Sequence, residues 1–265
     1  MKYCVFSKIM VDFTLEEAVQ KMQEFGYDGV EWRIHDECHI KLEEVEKKAE
    51  YVKELTESHN LEIVTLISYV LVDDLDSIKK LFNAANLMKC PRVRLWPPPY
   101  DGKENYHQIY QRGLEKTKKV EDLARKYGVK IIFEIHPGTI MPSASLAYRW
   151  ASNFSPQQVG VVFDPGNMVE EGTENWKLGL EILGEYLAYV HCKNAGWFSK
   201  RVNGRREWYW DWVPIKEGIV NWEEMIGILK EIGFDGYLSN EDFCSLPITQ
   251  RLEENIAYLK NLVED

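Results

Sequence analysis

The sequence predicts a (β/α)8 barrel, the TIM-barrel architecture, as one α/β domain over residues 1–265. Eight short apolar runs of strand composition recur along the 265 residues. Segments with apolar residues three and four apart, the period of amphipathic helices, lie between them. No low-complexity linker divides the chain, and eight strand–helix units in this length suit a closed barrel. A doubly wound open sheet is the competing arrangement, but the first strand–helix turn lacks the G-x-G-x-x-G phosphate fingerprint.

The first run is "YCVFS" (3–7), and "TLEEAVQKMQEFG" follows as a helix. Thr14 and Glu17 have capping-box spacing, and Gly26 stands where a helix C-cap belongs. The next runs are "GVEWRI" (29–34), "LEIVTLISYV" (61–70) and "RVRLW" (92–96). Gly128 closes the following helix before "VKIIFEI" (129–135), "VGVVFD" (159–164) and "LAYVHCK" (187–193). After the insertion "WFSKRVNGRREWYWDW" (197–212), the helix "NWEEMIGILKEIG" has Asn221 and Glu224 at its start and Gly233 at its end. The last run is "GYLSNE" (236–241). "MQEFGYDGVEW" (22–32) and "LKEIGFDGYLS" (229–239) echo one another, each joining a helix end to a strand through Gly-aromatic-Asp-Gly.

Composition excludes several classes of function. With 45% hydrophobic and 28% charged residues, the chain is of ordinary globular type. Its net charge of −11 argues against nucleic acid or an anionic membrane as partner. No apolar run approaches the roughly 18 residues of a membrane span, and "MKYCVFSKIMVDF" lacks the apolar core of a signal peptide. Cys4, Cys38, Cys90, Cys192 and Cys244 are scattered singly, a pattern that fits reduced thiols in a cytoplasmic setting.

The stretch "IIFEIHPG" (131–138) ends a buried strand with Glu134 and His136 on one face. Asp164, His191 and Glu241 occupy the corresponding ends of "VVFD", "AYVH" and "YLSNE". In a β/α barrel the C-terminal ends of the strands meet at one mouth. Three carboxylates gathered there would repel unless a cation joined them, and with one imidazole they form a first shell for a divalent metal. Mn²⁺ and Mg²⁺ suit this oxygen-rich set best, ahead of Co²⁺ and Zn²⁺.

These stretches, "FEIHPG", "FDPGN", "YVHCKNA", "VPIKEGIVNW" and "GYLSNED", resemble the xylose isomerase-like TIM-barrel superfamily. That superfamily includes sugar and sugar-phosphate isomerases and epimerases, inosose and 3-dehydroshikimate dehydratases, and endonuclease-IV-type repair enzymes. The resemblance implies that Glu134, Asp164, His191 and Glu241 ligate the metal. It also implies that Glu134 and Glu241 exchange protons with opposite faces of a substrate. Repair enzymes of this kind hold three zinc ions with extra histidines, but here Asn167 and Trp212 stand at two such positions. The "E-x-H-P" piece is similar to dehydroshikimate dehydratases, so a lyase is the alternative reaction.

Alternation furnishes the rest of the mouth. In "GVEWRIH", Val30, Trp32 and Ile34 face the helices, leaving Glu31, Arg33 and His35 inward. In "RVRLW", Arg92, Arg94 and Trp96 take the barrel side. Lys193 shares a face with His191, as His136 does with Glu134. Arg33, Arg94 and Lys193 are thus candidates to hold a substrate oxygen, phosphate or carboxylate, with His136, Trp96 and Asn167 beside them. The competing use of the arginines is internal pairing with Glu31. The 197–212 insertion has the composition of a lid that stacks on a sugar ring, and equally of a contact in a homo-oligomer. The expected function is a divalent-metal-dependent isomerase or epimerase of a small sugar or sugar derivative acting through an enediolate. The alternatives are a dehydratase of the inosose or 3-dehydroshikimate type and a non-catalytic sugar-binding relative.

Overall fold

A computed structural model describes residues 1–264. The strands in chain order are β1 (Lys2–Phe6), β2 (Gly29–Arg33), β3 (Glu62–Leu71), β4 (Arg92–Trp96), β5 (Lys130–Glu134), β6 (Val159–Phe163), β7 (Leu187–Cys192), β8 (Asn194–Val202), β9 (Arg205–Val213) and β10 (Tyr237–Asn240). All except β8 and β9 close into one parallel barrel, with β10 lying between β7 and β1. Each expected run is a barrel strand, its ends within one residue of those observed.

The helices are α1 (Leu15–Phe25), α2 (Val45–Ser58), α3 (Leu75–Leu87), α4 (Tyr106–Tyr127), α5 (Ala144–Ala151), α6 (Pro165–Glu170), α7 (Trp176–Leu183), α8 (Trp222–Glu231) and α9 (Ile248–Glu264). Their ends follow the sequence punctuation. Thr14 and Glu17 form the reciprocal capping box of α1, and Gly26 ends it in the left-handed region at φ 76°. Asn221 accepts from the Glu223 and Glu224 N–H groups at the start of α8. Thr14→Ala should therefore lower stability by about 1 kcal/mol, read as a shifted urea midpoint with unchanged slope.

Period-two alternation builds the barrel interior in layers. Cys4, Val64, Ile132, Val162, Tyr189 and Tyr237 form a buried apolar plug inside the strands. Two residues further along β5, β6, β7 and β10 come Glu134, Asp164, His191 and Ser239. The plug keeps water from one end, so these polar groups meet only the mouth. A larger core lies between strands and helices and includes Trp32, Phe82, Phe133, Trp150 and Trp222. Trp32 Nε1 donates to Thr56 Oγ1 of α2 at 3.2 Å, which places the apolar side of β2 against the helices.

The 197–212 insertion lies within an antiparallel hairpin, β8 and β9, paired from Asn194↔Val213 to Val202↔Arg205. Its turn is Asn203-Gly204, with φ 50° and 78°. Such positive values suit the Asn-Gly pair of a two-residue hairpin turn. None of the described helices is long and apolar enough to cross a membrane.

Candidate metal centre

Glu134 ends β5, and Asp164 directly follows β6, where its side chain caps α6 by accepting from the Asn167 N–H at 2.9 Å. His191 projects from β7, and Glu241 follows β10. One ligand atom from each of the four lies within 4.8 Å of all the others, and all four residues are buried. His191 Nδ1 is 3.2 Å from Glu134, 3.3 Å from Asp164 and 3.0 Å from Glu241.

The opposite imidazole nitrogen, Nε2, faces Glu31 at 3.3 Å. Glu31 is fully buried and accepts hydrogen bonds from the Tyr189 hydroxyl at 2.5 Å and from the Ser239 hydroxyl. Glu31 thus pairs with neither Arg33 nor Arg94, the competing use considered for the arginines, although Arg94 does pair internally, with Glu134. Its place behind His191 is that of the carboxylate that orients a metal-binding imidazole. Phe6 stacks on the same ring, with centroids 6.0 Å apart. His35, expected to face inward, is instead half-buried 3.9 Å from the Glu37 carboxylate.

The donor set fits a divalent cation. Burial opposes a charged His191, but Glu241, Glu31 and Asp164 outweigh it and hold its pKa well above the usual histidine value. Nδ1 therefore sits where the three carboxylates demand positive charge. A divalent ion would meet that demand and release the proton. Three carboxylates and one imidazole are the hard and borderline ligands that Mn²⁺, Mg²⁺, Co²⁺ or Zn²⁺ accept.

Two cations already brace these carboxylates. The Arg94 guanidinium contacts Glu134, both fully buried. Lys193 Nζ lies 2.8 Å from Asp164 and 2.5 Å from Glu241. Burial works to lower the Lys193 pKa, but Asp164 and Glu241 outweigh it and the net shift is upward. Burial would raise Glu241, yet Lys193 and His191 hold it well below the ordinary carboxylate range. The Lys193 stem passes over Gly166, where an added Cβ would lie 2.6 Å from Lys193 Cγ. Asn167 Nδ2 donates to Glu134 Oε1 at 3.1 Å and to the Ile135 carbonyl at 3.0 Å, fixing the glutamate.

A cavity of about 330 Å³ opens beside the cluster, lined by Lys8, Tyr69, Glu134, His136, Asn167, Lys193, Trp212, Glu241 and Phe243. His136 is kept neutral, its pKa lowered to about 4 by burial and by Lys193 and Arg94. Trp96 packs edge-on against its ring at 4.5 Å and meets Tyr69 at 4.7 Å, so it buttresses the wall. Arg33 lies over the Tyr69 ring at 4.9 Å. Sequence reasoning missed Glu31's partners, Lys8, Tyr69 and Phe243. A signal existed for Lys8, which continues the inward positions Cys4 and Phe6 of β1.

Glu31→Gln should lower divalent-metal affinity about 10–100-fold while the fold persists. Titration calorimetry beside circular dichroism reads both.

Against known sequences, the family described as xylose isomerase-like TIM barrel matches residues 19–262. The chain belongs to this family. An inosose isomerase of Bacillus velezensis is 22% identical over 263 residues, covering 94% of this chain and 91% of that protein. Among solved structures, the IOLI protein with a bound zinc atom superimposes with TM-score 0.81 at 21% identity, covering 100% of this chain and 98% of that one. A probable 3-DHS dehydratase from Bacillus anthracis gives TM-score 0.80 at 18% identity, covering 98% of this chain and 99% of that one. At these identities the structural likeness establishes the barrel.

Proposed function

We propose that this protein is a divalent-metal-dependent isomerase or epimerase of a small sugar or sugar derivative, acting by proton transfer through an enediolate. The observation that carries the reading is the convergence of Glu134, Asp164, His191 and Glu241, with both glutamates also lining the cavity. Those four residues would hold the ion. When bound, it would supply Lewis-acid polarisation of a substrate carbonyl and charge to offset the enediolate.

The remaining steps fall to the chain itself. Glu134 and Glu241 come from β5 and β10, on different sides of the cavity, so one carboxylate can take a proton and the other return one. Arg94 and Asn167 orient Glu134, and Lys193 orients Glu241. Neutral His136, whose Nδ1–H donates to the Pro137 carbonyl at 2.8 Å, can accept a hydrogen bond from a substrate hydroxyl at Nε2 without adding charge. Trp212 and Phe243 give apolar faces for the substrate carbon skeleton and exclude water.

A dehydratase is the second reading, favoured by Lys193. Its buried ammonium lies beside Glu241 and lines the cavity, where it can protonate a departing β-hydroxyl. A metal-supplemented screen of ketoses, sugar phosphates, inososes and dehydroshikimate, followed by NMR and mass spectrometry, separates the two. Conserved mass supports isomerisation or epimerisation, and loss of water supports the lyase. Absence of turnover across all four classes with metal-loaded protein would count against both.

A further inference from the structure

Lys8 and Lys193 line the cavity, Arg94 and Arg33 pack against its Tyr69 wall, and of these four cations only Arg94 and Lys193 have carboxylate partners. Arg94 is matched by Glu134, and Lys193 by Asp164 and Glu241. Lys8 lines the cavity from the turn after β1, its Nζ 4.6 Å over the Phe243 ring. Arg33 is only 9% exposed, its Nε has no hydrogen-bond partner, and Nη1 reaches only Cys38 Sγ at 3.4 Å. Among the described residues, neither Lys8 nor Arg33 forms an ion pair. A buried guanidinium without an anion is costly, so a negative group near Arg33 would stabilise this side of the site.

Tyr69 lines the cavity with Lys8, and Arg33 stacks on its ring beside Arg94. The Arg33 and Arg94 guanidinium carbons lie 4.9 and 4.8 Å from its ring centroid. Burial would raise the Tyr69 pKa, but Arg94, Lys8 and Arg33 outweigh it and the net shift is downward. The side of the cavity formed by β1, β2 and β3 is therefore electropositive. A charge count agrees. With His191 neutral on the ion, the four carboxylates Glu31, Glu134, Asp164 and Glu241 balance the charges of Arg94, Lys193, Lys8 and Arg33, so a divalent ion leaves two positive charges in excess.

We propose that Lys8 and Tyr69, backed by Arg33, form a subsite for a carboxylate or phosphate carried by the substrate. The substrate is then an anionic polyhydroxy carbonyl compound, with its charged group on the β1–β3 side and its reacting carbons between the two glutamates. This assignment rests on the metal-dependent reading above. Lys8 contacts the anion directly. Arg33 holds Tyr69 by stacking and contributes field, so it is a positioning residue. Phe243 lies between Lys8 and Lys193, 4.6 and 5.4 Å from their Nζ atoms, and keeps the two ammonium groups on separate tasks.

Calorimetry on the Mn²⁺-loaded full chain tests this with three probes: D-fructose, 2-keto-D-gluconate and D-fructose 6-phosphate. At least one anionic probe should bind about tenfold or more tightly than fructose, as one charge-assisted contact would give. Whichever anion is preferred distinguishes carboxylate from phosphate. Lys8→Gln, at a half-buried position, should erase that preference while Mn²⁺ affinity stays unchanged. Equal binding of all three probes, no binding of either anion, or a preference that survives Lys8→Gln would overturn the subsite. The Mn²⁺ isotherm separates the two readings. Failure to bind metal defeats the proposed function, whereas metal binding without anion preference defeats only this inference.

Discussion

His191→Ala should remove tight divalent-metal binding and destabilise the metal-stripped protein by about 3–5 kcal/mol, the cost of leaving buried charges without their partner. The reason is its central place. His191 Nδ1 faces Glu134, Asp164 and Glu241, and Nε2 faces Glu31. Taking the imidazole away leaves four buried carboxylates with Arg94 and Lys193 as their only close cations among the described residues. The loss of metal affinity should exceed the roughly 100-fold upper range for a residue outside the ligand shell. Urea denaturation after chelation reads the first effect, and Mn²⁺ titration reads the second. His191→Gln, which keeps much of the volume, separates lost charge from lost packing. Unchanged metal affinity in both variants would remove His191 from the ligand set.

The second large effect concerns the two glutamates. Glu134→Gln and Glu241→Gln should each lower turnover about 10²–10⁴-fold at saturating metal, the usual contribution of a positioned acid or base. Because Gln also weakens metal binding, turnover alone is ambiguous. Solvent deuterium gives the sharper reading. In D₂O a single Gln variant should still wash deuterium into the substrate at the face served by its remaining glutamate, while failing to convert it. Exchange lost in both variants at full metal occupancy would favour a single-base or hydride-shift route. Full turnover in both would mean neither carboxylate is the base.

The barrel was legible because each strand is short, apolar and bounded by helix caps. Thr14, Gly26 and Gly128 mark helix ends in the sequence as they do in the fold. The convergence of Glu134, Asp164, His191 and Glu241 was legible for a related reason. Parallel strands share one mouth, so position relative to strand end is enough. What escaped the sequence depends on contacts across the barrel. Glu31 lies on β2 and meets Tyr189 and His191 of β7 and Ser239 of β10, pairings set by barrel stagger that no local pattern encodes. Lys8 continues the inward register of Cys4 and Phe6, but it falls past the end of β1 in a 3₁₀ turn, where alternation is a weaker signal. The hairpin was a different kind of miss. Its Asn203-Gly204 turn is a strong local signal of two paired strands, and the aromatic residues around it are equally compatible with a stacking lid.

The most direct measurement is anomalous diffraction from crystals of the Mn²⁺-loaded protein. The account predicts one strong peak at the barrel mouth, about 2.0–2.3 Å from oxygen atoms of Glu134, Asp164 and Glu241 and from His191 Nδ1. Lys193 should have moved off at least one of its two carboxylates to admit the ion. A mouth with no peak at saturating Mn²⁺, or a peak held by other residues while Lys193 still bridges Asp164 and Glu241, would contradict it.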